Sequence, residues 1–233
     1  MSCIRSWLVA ALFAVVAGHA AAATASVYLE ELTWTELRDA IAAGKTTVIV
    51  PVGGTEQSGP HMVLGKHNVR ARILAGRIAQ GLGNALVAPV IAYVPEGSID
   101  PPAGHMRFPG TISVPEGAFE ATLEAAARSF RRAGFRDVVL IGDHGGYQKS
   151  LARVAARLDR EWAKQGSPVR VHAIEEYYRA AERDFAALLK KQGLSDAEIG
   201  VHAGAADTSL ALAADPQLVR GARLHDGTAP GAA

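Results

Sequence analysis

The stretch PVGGTEQSGPHMVLGKHN, from Pro51 to Asn68, concentrates residues that can bind a metal or move a proton. It carries one carboxylate, Glu56, and two imidazoles, His61 and His67, directly after a β-branched hydrophobic run. Carboxylate oxygens and imidazole nitrogens are common ligands of divalent metals. The stretch is therefore either a metal-binding loop or a polar turn, and the choice depends on what the rest of the chain brings near it.

A second hydrophobic run, DVVLIG, also leads into polar residues, in the sequence GDHGGYQ. If both runs are parallel strands, the loops after them lie at one edge of the sheet, so Glu56, His67 and His144 can meet. One carboxylate with two imidazoles suits a catalytic divalent metal with an open coordination position, zinc first and manganese or iron as alternatives. The amides of Gly145 and Gly146 could approach a ligand closely and stabilise a developing oxyanion.

Two further segments carry polar residues that could line the same site. In HAGAADTSLALAADP, His202 and Asp207 lie in a Gly/Ala-rich lead into an apolar helix, where Asp207 could equally be a simple N-cap. In PPAGHMRFPGT, a proline-rich loop holds His105 and is plausible as a pocket wall or as an interface loop.

Four hydrophobic runs predict the strands that would position these loops. They are Thr46–Val52, Ala85–Val94, Asp137–Gly142 and Val169–Ile174. Mostly continuous apolar runs, rather than alternating ones, are typical of strands buried on both faces. Because helical patterns alternate with these runs at lengths that suit right-handed crossovers, we expect an α/β fold, a three-layer α/β/α arrangement with a mainly parallel sheet.

Amphipathic patterns predict four helices. They are Thr33–Ala43, Asn68–Leu82, Pro115–Ala133 and Ser150–Lys164. Thr33 with Glu36, and Ser113 with Glu116, have the spacing of a capping box, which predicts where the first and third helices begin.

The first 25 residues, MSCIRSWLVAALFAVVAGHAAAATA, have the pattern of a secretory signal peptide, with Arg5, a short apolar core and A-x-A spacing. A membrane anchor is the alternative, but the core is shorter than the roughly 20 apolar residues of a span. Cleavage would remove Cys3, the only cysteine, which excludes disulfides and thiolate chemistry. We expect a secreted or periplasmic protein without membrane association after cleavage, with one domain over 26–227 and a flexible tail over 228–233.

Charge and motifs exclude several classes of function. The 24 basic and 23 acidic residues are mixed along the chain without a basic stripe, so no nucleic-acid partner is expected. No G-x-S-x-G elbow, P-loop or complete dinucleotide fingerprint follows a predicted strand, which leaves serine α/β-hydrolases and nucleotide-binding proteins unsupported. The mixed charges favour a soluble protein with a small-molecule or protein ligand, and we expect a small-molecule substrate.

The order of four motifs resembles the creatininase (creatinine amidohydrolase) family. PVGGTEQSGPH, HMRFPGT, IGDHGGYQ and HAGAADTS stand where that family has PVG with an E-Q-H-G-P-H loop, H-x-x-F-P-G-T, N-G-H-G-G-N and H-A-G-E-x-E-T-S. The resemblance covers about residues 30–220. It implies an α/β/α fold, a homo-oligomer that is often a hexamer, and a two-metal site, usually of zinc or manganese. The implied reaction is hydrolysis of a C–N bond in a small amide or cyclic amide.

The chain departs from the family pattern at metal-binding positions. Ser58 stands where the family has a ligating histidine, and His67 where it has the aspartate that bridges two metals. Gly146 and Ala205 replace positions that supply an acidic ligand. An imidazole does not bridge two metals as a carboxylate does, because its two nitrogens point in different directions.

These departures lead to the hypothesis of a mononuclear site held by Glu56, His67 and His144, with water in the open position. By resemblance, His202 would donate or accept a proton, and Asp207 would orient it or a ligand imidazole. The substrate pocket would include Ser58, His61, His105, Gly145 and Gly146. The alternatives are a noncatalytic secreted binding protein that reuses the pocket, and a peptidase-like or deformylase-like hydrolase.

Overall fold

A computed structural model describes residues 26–228 of the chain. Within this range four strands form one sheet in the order β2-β1-β3-β4, and all neighbouring strands are parallel. The strands are β1 (Thr47–Val52), β2 (Ala85–Val87), β3 (Asp137–Gly142) and β4 (Arg170–Ala173). The predicted α/β fold with a parallel sheet is confirmed.

The four predicted helices are present. They are α1 (Trp34–Ala42), α2 (Lys66–Leu82), α3 (Glu116–Ala133) and α4 (Gln148–Lys164). The amphipathic patterns do not predict the helices that follow β4, which are α5 (Glu175–Arg179), α6 (Phe185–Lys191), α7 (Asp196–Ile199) and α8 (Ala205–Ala214). A π-helical turn over Ala180–Asp184 joins α5 to α6. The first capping box is confirmed, since Glu36 N donates to Thr33 Oγ1 at 3.3 Å and Thr33 N donates to Glu36 Oε2 at 2.7 Å.

Helices cover both faces of the sheet, which gives three layers. On one face, α1, α3 and α4 pack over a core that includes Val48 and Leu140. On the other face, α2 and α5 pack over Ile49 and Ile141. Burial on both sides explains why the strand segments are continuous apolar runs. Because all four strands are parallel, their carboxyl ends meet at one edge, where the polar loops begin.

The second strand is shorter than predicted. Ladder pairing ends at Val87, two residues before Pro89, which has no N–H to donate to a neighbouring strand. The chain nevertheless stays beside β1, because Ile91 N donates to Pro51 O and Gly53 N donates to Ile91 O, both at 3.0 Å. This path leads the following loop to the same sheet edge as the loop after β1.

The predicted capping role of Ser113 is wrong. Helix α3 begins at Glu116 after Pro115, with no side-chain cap. Ser113 instead holds the loop that follows the β2 segment, since its Oγ accepts from Glu96 N at 3.0 Å and donates to Gly97 O at 2.8 Å. A serine hydroxyl can satisfy either partner, and here the tertiary contact prevails.

The predicted signal peptide, residues 1–25, and residues 229–233 lie outside the described residues. The domain boundaries at 26–227 therefore stay a prediction. Within 26–228, no helix combines enough length with enough apolar character to cross a bilayer.

The buried hydroxyl of Tyr147 ties the ends of β1 and β3 together. The hydroxyl donates to Gly53 O at 2.6 Å and also lies 2.8 Å from Val52 O. It accepts hydrogen bonds from the N–H groups of Asp143 and His144, both at 3.1 Å. The two loops that carry the candidate site residues are thus fixed to each other at their first residues.

We expect Tyr147→Phe to lower the free energy of unfolding by about 1–3 kcal/mol, because it leaves the His144 amide and the Gly53 carbonyl without this partner. Urea denaturation of the metal-stripped protein measures the difference. Tyr93→Phe is the matched control, because Tyr93 is 62% exposed, and it should change stability by less than about 0.5 kcal/mol. Equal stability of the two variants would contradict the role given to Tyr147.

Candidate active site

The loops after β1 and β3 meet at the carboxyl edge of the sheet, as the sequence predicts. Glu56 lies on the loop after β1 and is fully buried. His67 lies in the first turn of α2, and Asp143 and His144 follow β3 directly. Glu56, His67 and His144 therefore lie together, with His144 Nε2 3.4 Å from Glu56 Oε2 and His67 Nε2 2.9 Å from Glu56 Oε1.

His67 lies between two carboxylates. Its Nε2 faces Glu56 Oε1, and its Nδ1 is 2.7 Å from Asp143 Oδ2. Arg70 Nε also donates to Asp143 Oδ2, at 2.8 Å. Both ring nitrogens of His67 are thus engaged with protein oxygens, which favours a hydrogen-bonding role. That His67 ligates a metal stays a prediction.

Glu96 is a site residue that sequence reasoning missed. It is 8% exposed, and neither carboxylate oxygen has a hydrogen-bond partner among the described residues. Burial, with the nearby charge of Glu56, raises the pKa of Glu96 to about 9. A signal was present, because Glu96 is the first acidic residue after the Ala85–Val94 run and therefore belongs to the same sheet edge.

In the described part of the chain, two overlapping groups of side chains can hold a metal ion. They are Glu56 with Glu96 and His144, and Glu56 with His105 and His202, each offering three ligand atoms within 4.8 Å of one another. Glu56 belongs to both groups, and its Oε2 has no hydrogen-bond partner in the described residues although it lies 3.4 Å from Nε2 of both His105 and His144.

The imidazoles around Glu56 are in forms that can ligate a metal or accept a proton. Burial lowers the pKa of His144 to about 4 and also lowers the pKa of His202, so both rings are neutral near pH 7. His105 Nδ1 lies 3.1 Å from Gln57 O, and donation to that carbonyl leaves the lone pair on Nε2.

The glycine amides have a more local role than predicted. Gly146 N donates to His144 Nδ1 at 3.2 Å, so this amide is engaged with the imidazole rather than available to an oxyanion. Ligation of a metal by His144 Nε2 would place the ring proton on Nδ1, so this contact would then give way. Gly145 lines the central cavity, where the hydroxyl oxygen of Tyr178 lies 2.6 Å from the position of a Cβ added at Gly145.

Asp207 binds cations rather than an imidazole. Lys66 Nζ donates to its Oδ2, Arg70 NH1 donates to its Oδ1 at 3.1 Å, and Ser58 Oγ donates to Oδ2 at 3.1 Å. Burial alone would raise the pKa of Asp207, but the Lys66 and Arg70 charges lower it below the usual range. In the part of the chain that the structure describes, Asp207 makes no hydrogen bond to His202, so the predicted orienting role has no contact to support it.

A cavity of about 200 Å³ opens beside these residues. Its wall includes Lys66, His144, Gly145, Tyr178, Glu182 and His202. His61, which the sequence placed in the substrate pocket, lines a different cavity of about 560 Å³, where its Nε2 is 2.9 Å from Thr208 Oγ1. The other predicted pocket residues, Ser58 and His105, lie within contact distance of Asp207 and Glu56 respectively.

Comparison with known proteins gives one family. The model of the creatininase family, described as creatinine amidohydrolase, matches residues 30–233. The chain is 34% identical over 126 residues to a creatinine amidohydrolase of Pseudomonas putida, covering 54% of this chain and 47% of that protein. It is 36% identical over 124 residues to a mycofactocin precursor peptide peptidase of Mycolicibacterium smegmatis, covering 51% and 47%. These matches span about half the length of either relative.

Solved structures of creatininases share the fold. A mutant creatininase superposes with a TM-score of 0.70 at 30% identity, over 83% of this chain and 75% of that chain. A structure described as "Creatininase Mn" gives a TM-score of 0.67 at 30% identity, over 83% and 75%. A mutant creatininase of Zn-Zn type gives 0.67 at 30% identity, over 83% and 74%.

Proposed function

Because the chain belongs to the creatininase family, we propose that it is a metal-dependent hydrolase of a C–N bond in a small amide or cyclic amide. One observation carries the proposal. The buried carboxylate of Glu56 has an unpartnered oxygen that faces Glu96 and the imidazoles of His105 and His144. Buried polar atoms without a partner are rare in folded proteins, and a bound cation would satisfy these oxygens.

The residues present fit a divalent metal. Three unpartnered oxygens belong to Glu56 and Glu96, and His144 offers a neutral nitrogen beside them. We therefore expect Glu56, Glu96 and His144 to hold the ion, with zinc or manganese both compatible with oxygen and nitrogen ligands. When bound, the ion would polarise a substrate carbonyl and acidify water.

The charges around the site support one ion rather than two. Among the described residues of the site, four carboxyl groups and two cations are each at most 10% exposed. They are Glu56, Glu96, Asp143 and Asp207, with Lys66 and Arg70. Fully ionised, they sum to −4 + 2 = −2, which one divalent ion neutralises. A second ion would leave an excess of +2, which is costly in a buried site.

The remaining residues supply proton transfer and substrate positioning. His202 lines the cavity and is neutral near pH 7, so it can accept a proton from water and return one to the leaving nitrogen. The ring of His105 lies 4.6 Å from that of His202. The contact between His105 Nδ1 and Gln57 O holds the His105 ring in place. A cavity of about 200 Å³ lies below the ~300–1,000 Å³ of drug-sized ligand pockets, which favours a small substrate.

Metal content and turnover, measured on the same preparations, test the proposal. We expect about one zinc or manganese ion per chain, and hydrolysis of some member of a panel of lactams, cyclic ureides and small peptides that stops on chelation. His202→Ala should keep the metal but lower turnover by about 10²–10⁴-fold, the usual contribution of a general acid–base. The control is His172→Ala, since His172 lies on β4 and pairs with Asp137.

Each outcome has a distinct meaning. Metal without turnover of any panel member would favour the noncatalytic binding protein. Turnover confined to peptides would favour a peptidase, as in the mycobacterial relatives. Absence of both metal and turnover would contradict the proposal.

Export and self-association are also part of the proposal. The pattern of the first 25 residues supports export to the periplasm or medium, and N-terminal sequencing of the mature protein tests it. Family resemblance supports a homo-oligomer, often a hexamer. Light scattering of the purified protein measures its size.

A further inference from the structure

We propose that Lys66 is a resident cation of this active site, which limits it to one divalent ion and stabilises negative charge on the bound substrate. The inference rests on the proposed function, because it assigns a role toward the metal held by Glu56. It adds a residue that the predicted site did not include.

The position of Lys66 is unfavourable for a lysine that serves only the fold. It is the first residue of α2, where the helix dipole is positive, and no acidic residue lies in the first turn of that helix. Its side chain is 1% exposed, although lysine is almost never fully buried unless it is paired. A charge buried at the wrong end of a helix costs stability, so a functional reason for it is expected.

Pairing with Asp207 accounts for only part of the environment of Lys66. Asp207 also accepts from Ser58 and from Arg70, and Arg70 divides its charge between Asp207 and Asp143. Lys66 Nζ also lies 4.0 Å from Glu56 Oε1, on the carboxylate shared by both candidate metal groups. Lys66 therefore connects the metal-binding carboxylate with the cation cluster around Asp207.

The charge of Lys66 has two consequences for the metal. A fixed positive charge close to Glu56 repels a divalent ion there and weakens its binding. The same charge disfavours a second ion nearby, because Lys66 already offsets the charge of one buried carboxylate, that of Asp207. The site thus binds one ion, less tightly than its ligands alone would allow.

Lys66 also faces the substrate cavity, whose wall it shares with His144 and His202. An ammonium group has three donors, and the contact with Asp207 uses one of them. A carbonyl oxygen in this cavity would develop negative charge during attack by water, and a preorganised cation lowers the energy of that state. The geometry thus gives Lys66 a catalytic role.

Zinc titration of Lys66→Met tests the inference. Metal-stripped protein is titrated with zinc alone against a chelating dye, which gives both affinity and stoichiometry. We expect Lys66→Met to bind the first zinc about tenfold more tightly and to take up a second ion, since a buried repulsive charge is gone. Turnover should fall by about 10²-fold, the effect of losing one donor to an oxyanion.

Two further variants keep the test decisive. Lys149→Met removes an exposed lysine of α4 and should leave zinc affinity unchanged. Lys66→Met with Asp207→Asn restores the charge balance, so it should bind one zinc with wild-type affinity while turnover stays low. If Lys66→Met alone does not fold, this double variant carries the test, and recovery of wild-type turnover by it would overturn the catalytic role.

The failure of this inference is distinguishable from failure of the proposed function. A wild-type protein that binds no zinc would contradict the proposed function. A wild-type protein that binds one zinc, together with a folded Lys66→Met that binds one zinc with equal or weaker affinity, would overturn only the role of Lys66.

Discussion

Replacing Glu56 by glutamine is expected to remove the bound metal and to stop hydrolysis. Glu56 is common to both groups of side chains that can hold an ion, so within residues 26–228 no alternative set of ligands remains when its charge is lost. The affinity should fall by more than the ~10–100-fold that loss of an outer partner causes. Elemental mass spectrometry after dialysis and turnover on the best panel substrate measure the two effects.

Glutamine is the informative replacement because it keeps the shape of the side chain. Its oxygen can still meet His67, whereas its NH2 group cannot ligate a metal. A fall in metal content without a change in far-UV circular dichroism therefore reports the loss of a ligand rather than of the fold. Glu176→Gln, at an exposed position of α5, is the matched control and should keep both metal and turnover. Retention of about one ion per chain by Glu56→Gln would contradict both candidate groups.

The sequence predicts the sheet and the loops that carry this site, because a parallel sheet can be inferred from local patterns along the chain. Continuous apolar runs alternating with amphipathic helices place the loops after β1 and β3 at one edge. Glu56 and His144, chosen from those loops, lie with Oε2 and Nε2 3.4 Å apart in the structure. The fold and the meeting of these two residues are therefore predictable from local patterns.

The partners of each side chain are less predictable, because burial rather than spacing decides them. Ser113 has the spacing of a helix cap, but its hydroxyl hydrogen-bonds the backbone of Glu96 and Gly97, and α3 begins without a side-chain cap. His67 resembles a ligand by type, yet both nitrogens meet carboxylates. Lys66 is an ordinary helix residue in sequence, and only the folded chain shows its burial beside Glu56.

Replacing Glu96 by glutamine tests whether this buried carboxyl is a metal ligand. The replacement should raise the stability of the metal-free protein and remove the stabilisation that zinc provides. In the metal-free protein, two carboxylates are buried together, and Glu56 and Glu96 leave three oxygens without partners. With a pKa of about 9, Glu96 must take up a proton when it is buried near pH 7. An amide at position 96 is neutral without that proton and can donate to Glu56. We expect Glu96→Gln to raise the stability of the metal-stripped protein by about 1–3 kcal/mol, the cost of unsatisfied buried groups.

The same replacement should abolish stabilisation by zinc. A ligand that binds only the folded state raises stability by about 2.7 kcal/mol at 100 times its dissociation constant, so wild-type protein should melt at a higher temperature when zinc is added. Glu96→Gln should start from a higher melting temperature in chelator and show no further rise with zinc. Differential scanning calorimetry in chelator and in excess zinc separates the two effects.

A second partly buried carboxyl makes this result specific. Burial also raises the pKa of Glu182, which lines the cavity but belongs to neither metal group. Glu182→Gln should therefore keep the zinc response. If Glu96→Gln also keeps it, Glu96 is not a ligand, and the group of Glu56, His105 and His202 becomes the site to test, since Nε2 of His105 is already aimed at Glu56. Glu96→Gln is expected to raise the metal-free stability and also to remove the zinc response only if the Glu96 carboxyl both destabilises the metal-free protein and ligates the ion.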